Sequence, residues 1–234
     1  MKDTGIFLTR QQNERRVVFL SPDELRVRLE RKSVLYMPVG SIEWHNEHLP
    51  LGTDTFHAEI LAWELCERTG GVILPCYWWN TGACHRHEST YYMPEESYRD
   101  TLTAVIRGFA EFDAKLLVLV NGHGGTYQRE SMAVIADSIN QSGDFPIWVM
   151  PADPYYMGQS SSTVIDHADT GETSFSMRLM PHLVRMERDI APDLYSEKLP
   201  FANGLPSAKK GDELYEAYMA EAVNEIERRY QNLS

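Results

Sequence analysis

Four short stretches of the chain are continuously apolar: 33–39 (SVLYMPV), 70–79 (GGVILPCYWW), 114–122 (AKLLVLVNG) and 145–152 (FPIWVMPA). Bounded by Gly, Pro or Asn and lacking the alternation of a half-exposed strand, they predict strands buried on both faces of a parallel sheet. The segments between them carry apolar residues at three-to-four spacing, which predicts helices over 54–70, 97–113 and 127–143, the first and last closing on Gly70 and Gly143. Ahead of them, Ser21-Pro22 followed by Leu25 and Leu29 predicts a short amphipathic helix ending near Lys32. A last amphipathic helix is predicted over 212–230, after a Pro- and Gly-rich loop at 191–211. Alternating strands and helices indicate an α/β fold, a three-layer sandwich with a mostly parallel central sheet.

A chain of 234 residues that is 43% hydrophobic suffices for one large core, and without repeats or low-complexity linkers it reads as a single domain over 1–234. The net charge of -12 changes the list of partners, because phosphate recognition needs clustered Lys and Arg and no basic run here exceeds a pair such as Arg15 and Arg16. That excludes nucleic acid and favours a small-molecule substrate. Cys66, Cys76 and Cys84 form neither a disulfide framework nor a CxxC pair, which suits a reducing cytoplasm. An N-terminus without an apolar core segment, and no window of 18 uninterrupted apolar residues, point to a soluble protein with no membrane partner.

The chemistry gathers at predicted strand ends. Directly after the first strand, GSIEWHNEHLPLGTD places Glu43, His45, Glu47, His48 and Asp54 within twelve positions. Glu43 and His45 are two apart and share a face of an extended segment, and Asp54 can return from the following loop to meet them. His123, in NGHGGT after the third strand, offers a further ligand from a loop whose glycines permit close approach. Carboxylates and imidazoles suit zinc, manganese or iron, and a carboxylate such as Asp54 can bridge two ions. The plainer alternative is a polar surface loop, with Asp54 capping the helix that follows. A third segment, DHADTGETSFSM, brackets a small-residue turn with His167 and Glu172, and it too reads equally as a helix cap.

Taken in order, GSIEWHNEHLPLGTD, NGHGGT, HADTGETS and NGLPSAKKG resemble the creatininase (creatinine amidohydrolase) family from about 40 to 211. The resemblance implies a creatininase-like three-layer fold, two divalent metal ions, hydrolysis of C–N bonds in cyclic or formyl amides, and a homo-oligomer, often a hexamer. On the matching positions Glu43, Asp54 and His123 would hold one ion, and His45 with bridging Asp54 the second. His167 resembles the proton donor to the leaving group, and Glu172 a metal ligand or second base. Creatininase itself carries an acidic ligand two positions after the His of NGH, where this chain has Gly125. That departure argues against creatinine as substrate and leaves Glu172 to complete the second metal. The segment CHRHESTYYMPEES is also longer and more polar than the usual family loop, so substrate contacts have diverged.

That loop and the strand before it offer Trp78, Trp79, His85, Arg86 and His87, and the last strand leads to Tyr155 and Tyr156; aromatic walls with a few polar groups describe a small-ligand pocket. Trp78 and Trp79 read equally well as core or interface aromatics. Two other functions fit the same residues: hydrolytic C–C opening of an oxidised inositol (diketo-inositol) ring, which some relatives of the family perform, and a non-catalytic metal-binding module.

Overall fold

The structure, a computed structural model, describes residues 14–82, 89–155, 157, 165–188, 190–191, 201 and 204–233. A short 3-10 turn at Val17–Phe19 leads into α1 (Pro22–Arg31), which opens on a complete capping box: Ser21 Oγ accepts from the Glu24 amide and Glu24 accepts from the Ser21 amide. Then follow β1 (Val34–Val39), α2 (Thr53–Thr69), β2 (Val72–Ile73), α3 (Glu95–Ala110), β3 (Leu116–Asn121), α4 (Thr126–Ser142), β4 (Trp148–Ala152), α5 (Thr170–Leu179) and α6 (Ala208–Asn232).

The four strands are parallel in the order β2-β1-β3-β4. β1 and β3 are buried along their whole length, as their unbroken apolar runs require. Side-chain alternation sends Leu35, Met37, Leu117 and Leu119 to one face, where they meet Leu102 and Ile106 of α3 and Met132 and Ile135 of α4. Val34, Tyr36, Val118 and Val120 go to the other, against Leu61 and Leu65 of α2, Phe175 of α5 and Tyr218 and Met219 of α6. The result is the three-layer arrangement expected from the sequence. Among the described residues no helix is long and apolar enough to cross a membrane.

Several boundaries differ from the sequence reading: the helix expected over 97–113 spans Glu95–Ala110 and the last strand begins at Trp148, and two further shifts have a visible cause. The 70–79 run pairs as a strand over Val72–Ile73 only, with a further bridge from Tyr77 to Val39, because Pro75 has no N–H to continue the ladder. The last helix starts at Ala208 rather than 212, since Ser207 Oγ accepts from the Lys210 amide and caps it there.

The strand order reverses at β1: the chain leaves it for β2 on one side and returns past it to β3 on the other. In such sheets ligands bind beyond the carboxyl ends of the strands at that switch point. The β1–β3 register runs from Val34↔Leu116 to Val39↔Asn121, so Gly40 and Gly122 follow at the same level. Both lie against the first turn of α2. A Cβ on Gly40 would sit 2.4 Å from Thr55 Cα, and one on Gly122 would sit 1.9 Å from the Asp54 carbonyl oxygen. Only glycine permits that backbone-to-backbone approach.

Gly122→Ala is therefore expected to destabilise the fold by about 3 kcal/mol or more. Gly108→Ala, exposed on α3 with nothing within 4 Å of the added methyl, is expected to stabilise it by about 0.5–1 kcal/mol. Urea unfolding of both variants checks the pair.

Candidate metal centre

The first turn of α2 carries Asp54 into the space between the β1 and β3 loops. Its Oδ1 lies 2.9 Å from His45 Nε2 and its Oδ2 lies 2.8 Å from His123 Nδ1. Glu43 Oε2 is 2.9 Å from the same His123 nitrogen, and Glu172 Oε2 is 3.5 Å from His45 Nε2. Two groups of potential ligands result, Glu43–Asp54–His123 and His45–Asp54–Glu172, sharing Asp54; a third, Glu43–His45–His167, overlaps both. The polar-loop alternative is overturned by burial: Glu43, His45, Asp54, His123 and Glu172 are each at most 2% exposed.

Neighbouring residues fix the donors. His45 Nδ1–H donates to the Glu43 carbonyl oxygen at 3.0 Å, which turns Nε2 toward the carboxylates. The Ser41 hydroxyl donates to Asp54 Oδ2. Asn121 holds the His123 backbone at both ends, its amide donating to the His123 carbonyl (2.7 Å) and its oxygen accepting the His123 N–H (3.2 Å). Gln128 Nε2 then donates to Asn121 Oδ1 at 3.2 Å. Behind the site, His48 is hydrogen-bonded to the Thr173 hydroxyl (2.8 Å) and His57 to the Ser176 hydroxyl (2.9 Å), tying α5 to α2 and the β1 loop.

Glu172 is both a cap and a site residue. It stands in the first turn of α5 and accepts the Ala168 N–H at 2.6 Å through Oε2, with Ala168 held at a φ of 47°. Asp166 takes the Gly171 N–H at 2.9 Å, so the capping expected for this segment is present and Glu172 still faces His45.

Burial opposes every charge here, but the carboxylates and imidazoles offset it for one another. Burial alone would raise the Glu172 carboxyl, yet His45 beside it brings it down to about 2. Burial likewise opposes His123, and Glu43 with Asp54 raise it to about 10. Asp54 is held well below the carboxylate range against its burial, chiefly by His45. Glu43 is fully buried and meets one donor only, the His123 Nδ1 that it shares with Asp54, 2.9 Å from Oε2 and off a good hydrogen-bond angle. A buried carboxylate that shares its one imidazole with a second carboxylate is a suitable seat for a further cation. The donor set of oxygens and imidazole nitrogens fits divalent zinc, manganese or iron.

Beside these groups opens a cavity of about 220 Å³ lined by Asp54, His123, Gly124, Gly125, Arg129, Tyr155, Ile165, His167 and Glu172. His167 is half-buried there, its ring centroid 4.6 Å from that of His45. Tyr155 lines the cavity as expected, but its hydroxyl is already within reach of Glu172 Oε1 (3.1 Å) and the Gly122 carbonyl (3.2 Å). Trp78 and Trp79 do not line it: Trp78 packs edge-on against Phe56 at 6.1 Å and Trp79, 43% exposed, stacks with Tyr91 at 5.0 Å. For these two tryptophans the packing alternative holds. His85, Arg86, His87 and Tyr156 lie outside the described residues. Arg129, one helical turn into α4, was not anticipated, because its sequence context looks like an ordinary solvated helix face.

A family model for Creatininase, described as creatinine amidohydrolase, matches residues 19–226. The chain belongs to the creatininase family. Among its relatives are a 3-dehydro-scyllo-inosose hydrolase of Thermotoga maritima, 27% identical over 70% of this chain and 56% of its own, and a creatinine amidohydrolase of Pseudomonas putida, 25% identical over 66% and 67%. The chain thus spans little more than half the length of the Thermotoga relative. A solved creatininase superposes with a TM-score of 0.72 at 21% identity, covering 92% of this chain and 98% of its own, which establishes the creatininase fold. A structure titled as a manganese creatininase superposes at 0.69 with 18% identity, and a mutant described as Zn-Zn type at 0.68 with 22%; they cover 92% of this chain and 98% and 97% of theirs.

In this family member the buried His57 is kept neutral, burial lowering its pKa from 6.5 to about 4. As pH falls below 6.5 the unfolded chain takes up this proton first, so the contribution of His57 is complete above pH 6.5 and is lost progressively toward pH 4. At pH 5 this amounts to about 2 kcal/mol. Urea unfolding in chelator at pH 7 and pH 5 is expected to show this loss as the part that His57→Gln removes, while His48, also held near 4 by burial, adds a loss of its own that the variant retains.

Proposed function

We propose that the chain is a metal-dependent hydrolase that cleaves a C–N bond of a small cyclic or formyl amide. The observation that carries the reading is Asp54, one oxygen turned to His45 and the other to His123, beside the buried Glu43 that faces the same His123 nitrogen. Glu43, Asp54 and His123 would hold one ion, and His45, Asp54 and Glu172 the other, with Glu172 supplying the carboxylate that Gly125 does not. Bound there, divalent zinc, manganese or iron would supply Lewis acidity toward a substrate carbonyl and a water of lowered pKa.

The chain's own residues supply the rest. Tyr155 and the Ala168 N–H hold both oxygens of Glu172, so its carboxylate has one orientation. His167, in the cavity wall beside His45, is the proton donor: water adds to the carbonyl carbon and gives up a proton, the C–N bond breaks, the departing nitrogen keeps the bonding pair and takes the proton from His167, and the proton given up by the water restores His167. Proton transfer of this kind is typically worth about 100-fold to 10,000-fold. The homo-oligomeric, cytoplasmic setting implied by the family belongs to the same proposal.

A second reading is supported by the Thermotoga relative named for 3-dehydro-scyllo-inosose: the same ions would activate a ring carbonyl for C–C cleavage of an oxidised inositol.

Purified protein is expected to carry close to two divalent ions per chain by elemental analysis; protein that cannot be loaded with metal would sink the hydrolase readings. Glu43→Gln and His123→Ala should lose metal, whereas His167→Ala should keep it and lose turnover by the factor given above. A panel of cyclic amides, formylamino compounds and diketo-inositols separates the two readings.

A further inference from the structure

The feature that distinguishes this cavity is the start of α4. The helix runs for 17 residues, begins immediately after His123-Gly124-Gly125, has no side-chain cap at Gly125 and no acidic residue in its first turn. Gly124 and Gly125 of the cavity wall lead directly into the positive end of this helix dipole, and among the described residues no side chain caps it.

Two side chains point to what they would meet. His123 is 2% exposed, and its Nε2 is buried with no hydrogen-bond partner. That nitrogen lies 2.3 Å from the place a Cβ at position 125 would occupy, so it is directed at the space that Gly125 leaves open. Because Nδ1 is the atom turned to Glu43 and Asp54, either a proton or a metal there leaves Nε2 carrying hydrogen, a donor aimed at the helix start. Arg129 is the second. Helical side chains lean toward the N-terminus, so a residue one turn into α4 covers the turn that holds Gly125. Its guanidinium is oriented by a 2.8 Å bond from Nε to Asp153 Oδ2 and lines the same cavity.

From this arrangement we infer that the cavity takes a substrate bearing a carboxylate, gripped by Arg129, His123 Nε2–H and the N-terminus of α4 while its carbonyl group faces Glu43, Asp54 and Glu172. A monoanion fits better than a phosphate, since Asp153 already neutralises part of the guanidinium charge and the space is about 220 Å³. The inference rests on the amide-hydrolase reading and narrows it to amides of amino acids and related acids.

The test compares N-formylglycine with its neutral isostere N-formylglycinamide, by calorimetric binding and by turnover, on the metal-loaded protein. Charge-assisted hydrogen bonds of this type predict about tenfold to a hundredfold tighter binding of the carboxylate. Arg129→Met should weaken the carboxylate far more than the carboxamide and so abolish the preference, and Arg129→Lys should retain part of it. Since Arg129→Met strands the buried Asp153, the Arg129→Met/Asp153→Asn double variant provides a folded form in which the same loss is expected. Absence of a preference in the native protein would overturn the inference, as would a preference that survives Arg129→Met, which would place the carboxylate on the metals. Tight binding without hydrolysis of either probe would count against the amide-hydrolase reading and leave the anion pocket standing.

Discussion

The approach of α2 to the sheet is closer than side chains would permit, and the geometry of the whole site follows from it. With β1 and β3 in register, Gly40 and Gly122 present bare backbone at one level, and the helix seats its first turn directly on them. A side chain at either position would lift Asp54 away from His45 and His123. Asp54 and His123 are 69 residues apart in sequence, yet their segments are fixed by main chain against main chain, a contact that rotamer changes cannot loosen.

Around that contact the electrostatics are nearly self-contained. Three buried carboxylates, Glu43, Asp54 and Glu172, are met by His45 and His123 from the strand-end loops, while the buried His48 and His57 stay neutral at about 4 because burial outweighs the carboxylates. Histidine thus serves two purposes within one shell. Where it touches a carboxylate it carries charge; where it touches only the hydroxyls of Thr173 or Ser176 it is a neutral strut that fixes α5 and with it Glu172.

Much of this was legible from the sequence because the informative residues follow unbroken apolar runs: Glu43 and His45 after β1, and His123 after β3, each at a strand's carboxyl end. The layers were legible for the same reason, since a run apolar at every position must be covered on both faces. What escaped was set by tertiary contact. Arg129 shares its helical surface with polar neighbours, and only the fold turns it toward the cavity. The Ser41 hydroxyl on Asp54 joins residues too ordinary to attract notice, and the tryptophans at 78 and 79, placed at a strand end like Glu43, His45 and His123, instead pack on Phe56 and Tyr91. Pro75 did announce the early end of β2, but its effect was masked by the apolar residues on either side.

Asp54 belongs to both ligand groups at once, and that sharing has a thermodynamic consequence. A cation or proton that settles against Oδ2 withdraws electron density from the carboxylate whose Oδ1 serves the other half, so the two halves cannot be filled or emptied as independent sites. By linkage, an ion held on the His123 side would change the affinity of the His45 side by the same factor as an ion on the His45 side changes that of the His123 side. One carboxylate at the head of a helix thereby lies in both candidate ligand groups, so ions held there would bind as a coupled pair rather than singly.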